Sequence, residues 1–209
     1  DGSKSVYELN ITLYDALNDS KNPDTELDVK RFLASQAIML SLAGVPGIYI
    51  HSLFGSRNCF TCVQDSGRAR SINREKFSMS NLHEILDNDS NIHNLVFSKY
   101  KHLISIRRTQ PAFNPNGSQK ALLNNRHIFT LHRSGVRQQE HVLCLVNVSP
   151  QKQVVKIELD DLELSGIKIF TELIEGGQIL SNSGKLNLDI EGFQTMWLLA
   201  GDTGTKSPV

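Results

Sequence analysis

Apolar positions follow one period before residue 115 and another after it. From Leu27 onward, Phe32, Leu33, Ala37, Ile38, Leu40 and Leu42 recur at near-helical spacing, with few charges after Arg31. This predicts a helix buried on more than one face, with Thr25 as N-cap, Asp28 three residues on, and Gly44 as the glycine stop. The run Val45–Ile50 is wholly apolar apart from Pro46, tolerated at its start, and predicts a short buried strand. Helix, short loop and apolar strand together read as an α/β unit of a parallel sheet. Upstream, Tyr7, Leu9, Ile11, Leu13, Tyr14 and Leu17 give a mixed pattern that starts a helix, and Asn18–Asp24 is a loop on composition.

Residues 51–79 are polar and read as one long loop, of the kind that is usually functional or mobile. Ser80 is expected to start a helix containing Leu82, Ile85 and Leu86. A longer one follows from Ile92 to Thr109, with Arg107 and Arg108 in its last turn, favourable at the negative end of the macrodipole, and Pro111 as its stop. The cluster Asn-Pro-Asn-Gly-Ser at 114–118 marks the expected domain boundary. Beyond it the pattern alternates. Strands are expected at His127–Arg133, His141–Val148, Gln153–Leu159, Ile167–Glu172, Lys185–Ile190 and Phe193–Ala200, separated by Gly-, Pro- and Asn-containing turns, which predicts an antiparallel sandwich. Residues 203–209 read as a frayed tail.

Composition narrows the function classes. The chain has 209 residues, 39% hydrophobic and 21% charged, which fits a globular fold with a real core. Lysine plus arginine equals aspartate plus glutamate at 22 each, so bulk charge gives no case for nucleic acid or an anionic membrane as partner. No apolar run reaches bilayer length and no signal-peptide pattern opens the chain. The start without methionine suggests a processed chain or a fragment. Three cysteines cannot all pair, and a reducing cytoplasm is the expected compartment. Cys59-Phe60-Thr61-Cys62 has no second pair or histidine tandem to complete a zinc site, and no helix-start context for a redox motif; two reduced thiols is the expectation. Asn-x-Ser/Thr triplets at Asn10, Asn18, Asn88, Asn116 and Asn147 are read as chance. His83, His93, His102, His127, His132 and His141 lack ligand spacing and are read as structural or surface. Trp197 is assigned to the sandwich core rather than to a sugar-stacking platform.

Four stretches carry a resemblance: AGVPGIYIHSLFGSRN (43–58), GRARSINRE (67–75), RRTQPAF (107–113) and FQTMWLLAG (193–201), with YELNITLYDAL (7–17) ahead of them. Together they resemble the last third of an α-amylase-superfamily enzyme, in the sucrose-phosphorylase-like branch of glycoside hydrolase family 13. The resemblance implies an α/β plus all-β fold. Residues 1–115 would be the C-terminal segment of a (β/α)8 barrel and 116–202 an antiparallel β-sandwich domain. It also implies cleavage of an α-glucoside by inorganic phosphate with retention, giving α-glucose 1-phosphate, without a cofactor or metal. The aspartate nucleophile, the glutamate acid/base and a stabilising aspartate of such enzymes would lie on earlier barrel strands, so this chain alone is expected to be inactive. The rival readings are an α-glucoside hydrolase or transglucosidase and a non-catalytic carbohydrate-binding domain. An open partial barrel would need the preceding barrel segment, or another copy of the chain, beside it.

Within that frame Arg70, in Arg70-Ser71-Ile72-Asn73-Arg74, matches the family arginine that reaches the glucosyl unit and the surrounding carboxylates. A guanidinium can pair with a carboxylate and donate to sugar hydroxyls in fixed geometry, which a lysine cannot. The plain alternative is a solvated surface arginine; Arg68 and Arg74 could simply pair with Glu75. Tyr7 and Glu8 match a loop beside the acceptor subsite, where the family tends to read Tyr-Gln. Glu8 in place of glutamine puts fructose in doubt and leans towards glycerol, although it could equally cap a helix. His51 could bridge to the family's insert domain, line the pocket, or be packed and hydrogen-bonded, and Arg57 could bind phosphate or anchor its loop.

Overall fold

The computed structural model describes residues 9–137 and 140–201. Tyr7, Glu8 and the tail from 203 therefore lie outside the described residues. The chain forms two compact units, one of residues 1–32 and 48–99, the other of 33–47 and 100–209.

The first unit is helical and short-limbed. Helix α1 (Leu13–Leu17) is capped by Thr12, whose side chain accepts from the Asp15 amide, and Tyr14 is its one buried residue. Helix α2 (Thr25–Ser41) begins here and continues into the second unit. Its cap is Asp24 rather than Thr25, because the Asp24 carboxylate accepts the Leu27 amide at 3.1 Å. The expected strand Val45–Ile50 is not formed: residues 45–49 have no ladder partner and Ile50 opens helix α3 (Ile50–Leu53). A strand exists only through hydrogen bonds to a neighbour, and no described segment supplies a parallel one. Val45 is 84% exposed and Tyr49 and Ile50 are each 50% exposed, the reverse of a buried strand.

The expected loop 51–79 is also corrected. It contains helix α4 (Phe60–Ser66) and a 3₁₀ turn over Ala69–Asn73. Apolar periodicity could not reveal either, since α4 buries none of its residues and is set by its caps, Cys59 before it and Gly67 at φ 65° after it. Helix α5 (Met79–Leu86) is capped by Ser78, two residues earlier than expected, and α6 runs from Ile92 to Thr109. Phe54, Phe77 and Phe97 form the aromatic centre of this unit, with Phe54 at 5.4 Å from Phe97 and 6.1 Å from Phe77 between ring centres. Gly55 at φ 58° is required there, because a Cβ would meet Val96 at 2.7 Å.

The second unit is a two-sheet β structure. One antiparallel sheet has the order β1 (Ser118–Leu122), β2 (Ile128–Ser134), β3 (His141–Asn147), β8 (Thr195–Ala200), β5 (Ile169–Glu172), β6 (Gln178–Leu180). The other pairs β4 (Gln153–Glu158) with β7 (Lys185–Ile190). Leu143, Leu145, Leu198 and Phe170 from the first sheet and Val155, Ile157, Leu186, Leu188 and Ile190 from the second form one apolar core. In β7 the burial alternates residue by residue, as the sequence pattern requires. Strands β1 and β6 were not expected: one is mostly exposed and the other has three residues. Asn147, fully buried, donates to the carbonyls of Gln151, Ile190 and Glu191 and accepts from Ser149, so this triplet asparagine serves the turn after β3. Trp197 is fully buried against Phe113, 4.7 Å between ring centres, and presents no surface for stacking a sugar.

Arg107 lies in the last turn of α6, as expected, and its guanidinium reaches beyond that helix. It donates to the carbonyls of Leu40, Leu42 and Gly44, while the buried Arg133 donates to those of Ser41, Ala112 and Asn114. The last carbonyls of a helix have no partners within it, and here two guanidiniums supply them from elsewhere in the chain.

Candidate functional site

The residues singled out from the sequence and described by the structure, His51, Arg57 and Arg70, all belong to the first unit. His51 in α3 is 8% exposed, and its Nδ1 lies 3.1 Å from the Ser56 hydroxyl. The Tyr49 ring packs edge-on against it at 5.2 Å and Phe77 lies at 5.9 Å. Burial holds the imidazole below its ordinary pKa, with His93 adding to the shift and Glu75 opposing it. His51 is thus packed and hydrogen-bonded, in surroundings that favour the neutral imidazole.

Arg57 is anchored. Its Nε donates to Asp15 Oδ1 at 2.9 Å, and the other oxygen of the same carboxylate accepts the Asn58 amide at 2.7 Å. Asn58 Oδ1 in turn accepts the Thr12 amide at 2.8 Å. Asp15, its side chain 6% exposed, therefore ties the segment after α3 to the head of α1 through three linked hydrogen bonds. Sequence reading missed Asp15, because an acidic residue in a five-residue helix carries no signal of a partner 42 positions away.

Arg70 is exposed on the 3₁₀ turn, with Arg68 just before and Arg74 just after it, both also exposed. The turn is fixed by its backbone. The Tyr49 hydroxyl donates to the Asn73 carbonyl at 3.0 Å, the Cys59 amide donates to the Ile72 carbonyl at 2.8 Å, and the Ser66 hydroxyl donates to the Ser71 hydroxyl at 2.7 Å. Tyr49 thus joins the two stretches: its ring is against His51 and its hydroxyl is on the turn that carries Arg70. The sequence pattern hid this role, since Tyr49 counted there only as an apolar strand position.

The paired cysteines differ from expectation. Cys59 and Cys62 form a disulfide, and Cys59 is the N-cap of α4, so the motif does sit at a helix start. Among the described residues, no three of His, Cys, Asp and Glu converge as a metal site, and no helix is long and apolar enough to cross a membrane. The turn, held at three backbone or side-chain points, carries three exposed arginines, Arg68, Arg70 and Arg74, whose guanidiniums are donors of fixed geometry suited to anionic or hydroxyl oxygens.

Comparison with known proteins gives this geometry its context. Glucosylglycerate phosphorylase of Spirochaeta thermophila is 36% identical over 196 residues, covering 92% of this chain and 33% of that protein. Glucosylglycerol phosphorylase of Marinobacter adhaerens is 25% identical over 159 residues, covering 76% of this chain and 29% of that protein. The chain thus spans about a third of the length of the curated relatives it matches. Among solved structures, an Anoxybacillus α-amylase superposes with a TM-score of 0.62 at 18% identity, covering 85% of this chain and 34% of that one, which establishes likeness of fold. No family model matches the chain.

Proposed function

The chain corresponds to a C-terminal part of the sucrose-phosphorylase-like enzymes of glycoside hydrolase family 13, and on that premise we propose that it belongs to a retaining α-glucoside phosphorylase. The complete protein transfers the glucosyl unit of an α-glucoside to inorganic phosphate, giving α-D-glucose 1-phosphate. Its nucleophile and acid/base are carboxylates of the preceding barrel segment. This chain contributes the segment 45–49, which takes its place as the last barrel strand once neighbours are present, and the cationic turn of Arg70. The observation that carries the reading is the 36% identity extending over 92% of the chain.

The division of labour follows from charge. A carboxylate-rich glucosyl site repels a phosphate dianion, so the acceptor side needs fixed cations, and Arg68 and Arg74 supply them on one turn. Arg70 holds the glucosyl unit and its carboxylates. His51 packs against the Tyr49 ring, whose hydroxyl holds the turn, while Arg57 keeps the intervening loop on Asp15. Tyr7 and Glu8 border the acceptor subsite. The alcohol released is glycerate rather than the glycerol that Glu8 alone suggests: the match to the glucosylglycerate enzyme is stronger and longer than that to the glucosylglycerol enzyme, and the turn offers cations to a carboxylate.

The test is phosphorolysis by the full-length protein of glucosylglycerate, glucosylglycerol and sucrose, read as α-glucose 1-phosphate. Release from glucosylglycerate that depends on phosphate, and falls about a hundredfold or more in Arg70→Ala, is the expected outcome. Phosphate-independent release of glucose would instead identify a hydrolase. Oligosaccharide binding unaffected by Arg70→Ala, with no turnover, would identify a binding domain.

A further inference from the structure

The Cys59–Cys62 bond has no part in glucosyl transfer, yet it sits where the Arg70 turn is attached. Phe60 and Thr61, the two residues enclosed by the disulfide, are exposed, and both cysteines are half-buried, so the sulfurs are within reach of a small thiol. The Cys59 amide donates to the Ile72 carbonyl, two residues past Arg70. At the other end of α4 the Ser66 hydroxyl holds Ser71. Helix α4 is thus a clip: its head and its tail each hold the 3₁₀ turn, and the disulfide closes the first turn of that helix at the head.

We propose that Cys59 and Cys62 form a reversible thiol–disulfide switch that sets the placement of the Arg70 turn, an inference that rests, for its effect on catalysis, on the functional reading above. The oxidant is a low-molecular-weight disulfide such as glutathione disulfide. One cysteine thiolate attacks it, forming a mixed disulfide and releasing one thiolate. The second cysteine thiolate then attacks the bonded cysteine sulfur, closing the Cys59–Cys62 bond and releasing the second. Two protein thiols are oxidised, one small disulfide is reduced to two thiols, and a dithiol reverses the sequence. In the oxidised form the backbone of residues 59–62 is fixed and the Cys59 amide stays aimed at Ile72. Opening the bond frees that first turn to fray and loosens the hold on the segment carrying Arg70.

The experiment uses the full-length protein poised in mixtures of reduced and oxidised glutathione. Alkylation and mass spectrometry should show a two-electron transition at Cys59 and Cys62. Amide hydrogen exchange at residues 71–74 should be faster in the reduced form, and KM for the glucosyl donor should rise about three- to tenfold on reduction. The Cys59→Ser/Cys62→Ser double variant should match the reduced enzyme at every poise. Thiols that stay free even in glutathione disulfide, or exchange at 71–74 that is the same in both forms, would overturn the switch. An intact thiol transition and exchange difference in a protein with no phosphorolysis in either state would uphold the switch and overturn the functional reading instead.

Discussion

The two units of the chain are held together by different means. The β unit closes on a continuous apolar core to which both sheets contribute fully buried side chains, among them Leu143, Leu145, Ile157, Phe170, Leu186 and Leu198. The first unit has few fully buried residues, principally Tyr14, Phe32 and Val96, and leaves Leu9, Leu13, Tyr49, Ile50 and Phe60 exposed. What orders it is a mesh of side chain-to-backbone hydrogen bonds: Thr12 and Ser78 as caps, Asp15 on the Asn58 amide, Tyr49 on Asn73. Apolar burial is non-directional and tolerates local change, whereas hydrogen bonds fix particular groups and contribute only about 1 kcal/mol each. The β unit is therefore built for stability, and the first unit for placement of a few polar side chains.

The largest expected effect tests the first half of that contrast. Trp197→Ala removes the largest fully buried side chain, which packs on Phe113, and should destabilise the β unit by about 3–5 kcal/mol in denaturant unfolding. Trp197→Phe should cost far less, because the buried indole N–H has no hydrogen-bond partner among the described residues. Phe54→Ala, at the aromatic centre of the first unit, should cost less than Trp197→Ala, since its neighbours Phe77 and Phe97 are only half-buried. Equal losses at Phe54 and Trp197 would erase the distinction between the units.

The same difference governs what could be read from the sequence. Strand β7 and helix α6 were legible to the residue because each buries its apolar positions at its own period. Helix α4 and the Arg70 turn were not, because neither buries a residue and both are specified by caps and backbone contacts between distant positions. The apolar run at 45–50 misled in the opposite way: it has the composition of a buried strand, yet residues 45–49 pair with no described segment. Of the site, Arg70 could be picked out only by its motif. Tyr49 and Asp15, which fix the surroundings, gave no local sign.

A half-buried neutral histidine in the stable unit should show as acid sensitivity. His132 on β2 has its Nε2 3.0 Å from Nδ1 of His141 on β3, with stacked rings. Burial, assisted by the neighbouring His141 and Lys120, pushes its pKa down to about 4. The unfolded chain would protonate it near pH 6.5, so between those values the unfolded state binds more protons. The stabilisation is complete above about pH 6.5 and is lost as pH falls towards 4, on the order of 2–3 kcal/mol. A pH series of unfolding free energies should show this slope in the wild type, and His132→Gln should flatten it. An unchanged slope in the variant would place the acid sensitivity elsewhere.

The smallest effect bears on the mesh of the first unit. Arg57 is 38% exposed and its pair with Asp15 is screened accordingly, so the coupling in a double-mutant cycle of Asp15→Ala and Arg57→Ala should be only about 0.5–1 kcal/mol. The single variants should differ. Arg57→Ala removes one donor from Asp15 and leaves the carboxylate its bond from the Asn58 amide, whereas Asp15→Ala removes the acceptor from both the guanidinium and that amide. Asp15→Ala should therefore cost the unit more, by about 1 kcal/mol, and loosen residues 57–58 in hydrogen exchange. If Arg57→Ala were the more damaging of the two, the ion pair rather than the backbone bond would be what holds the segment. The first unit would then owe its order to charge, and high salt should disorder it while leaving the β unit intact.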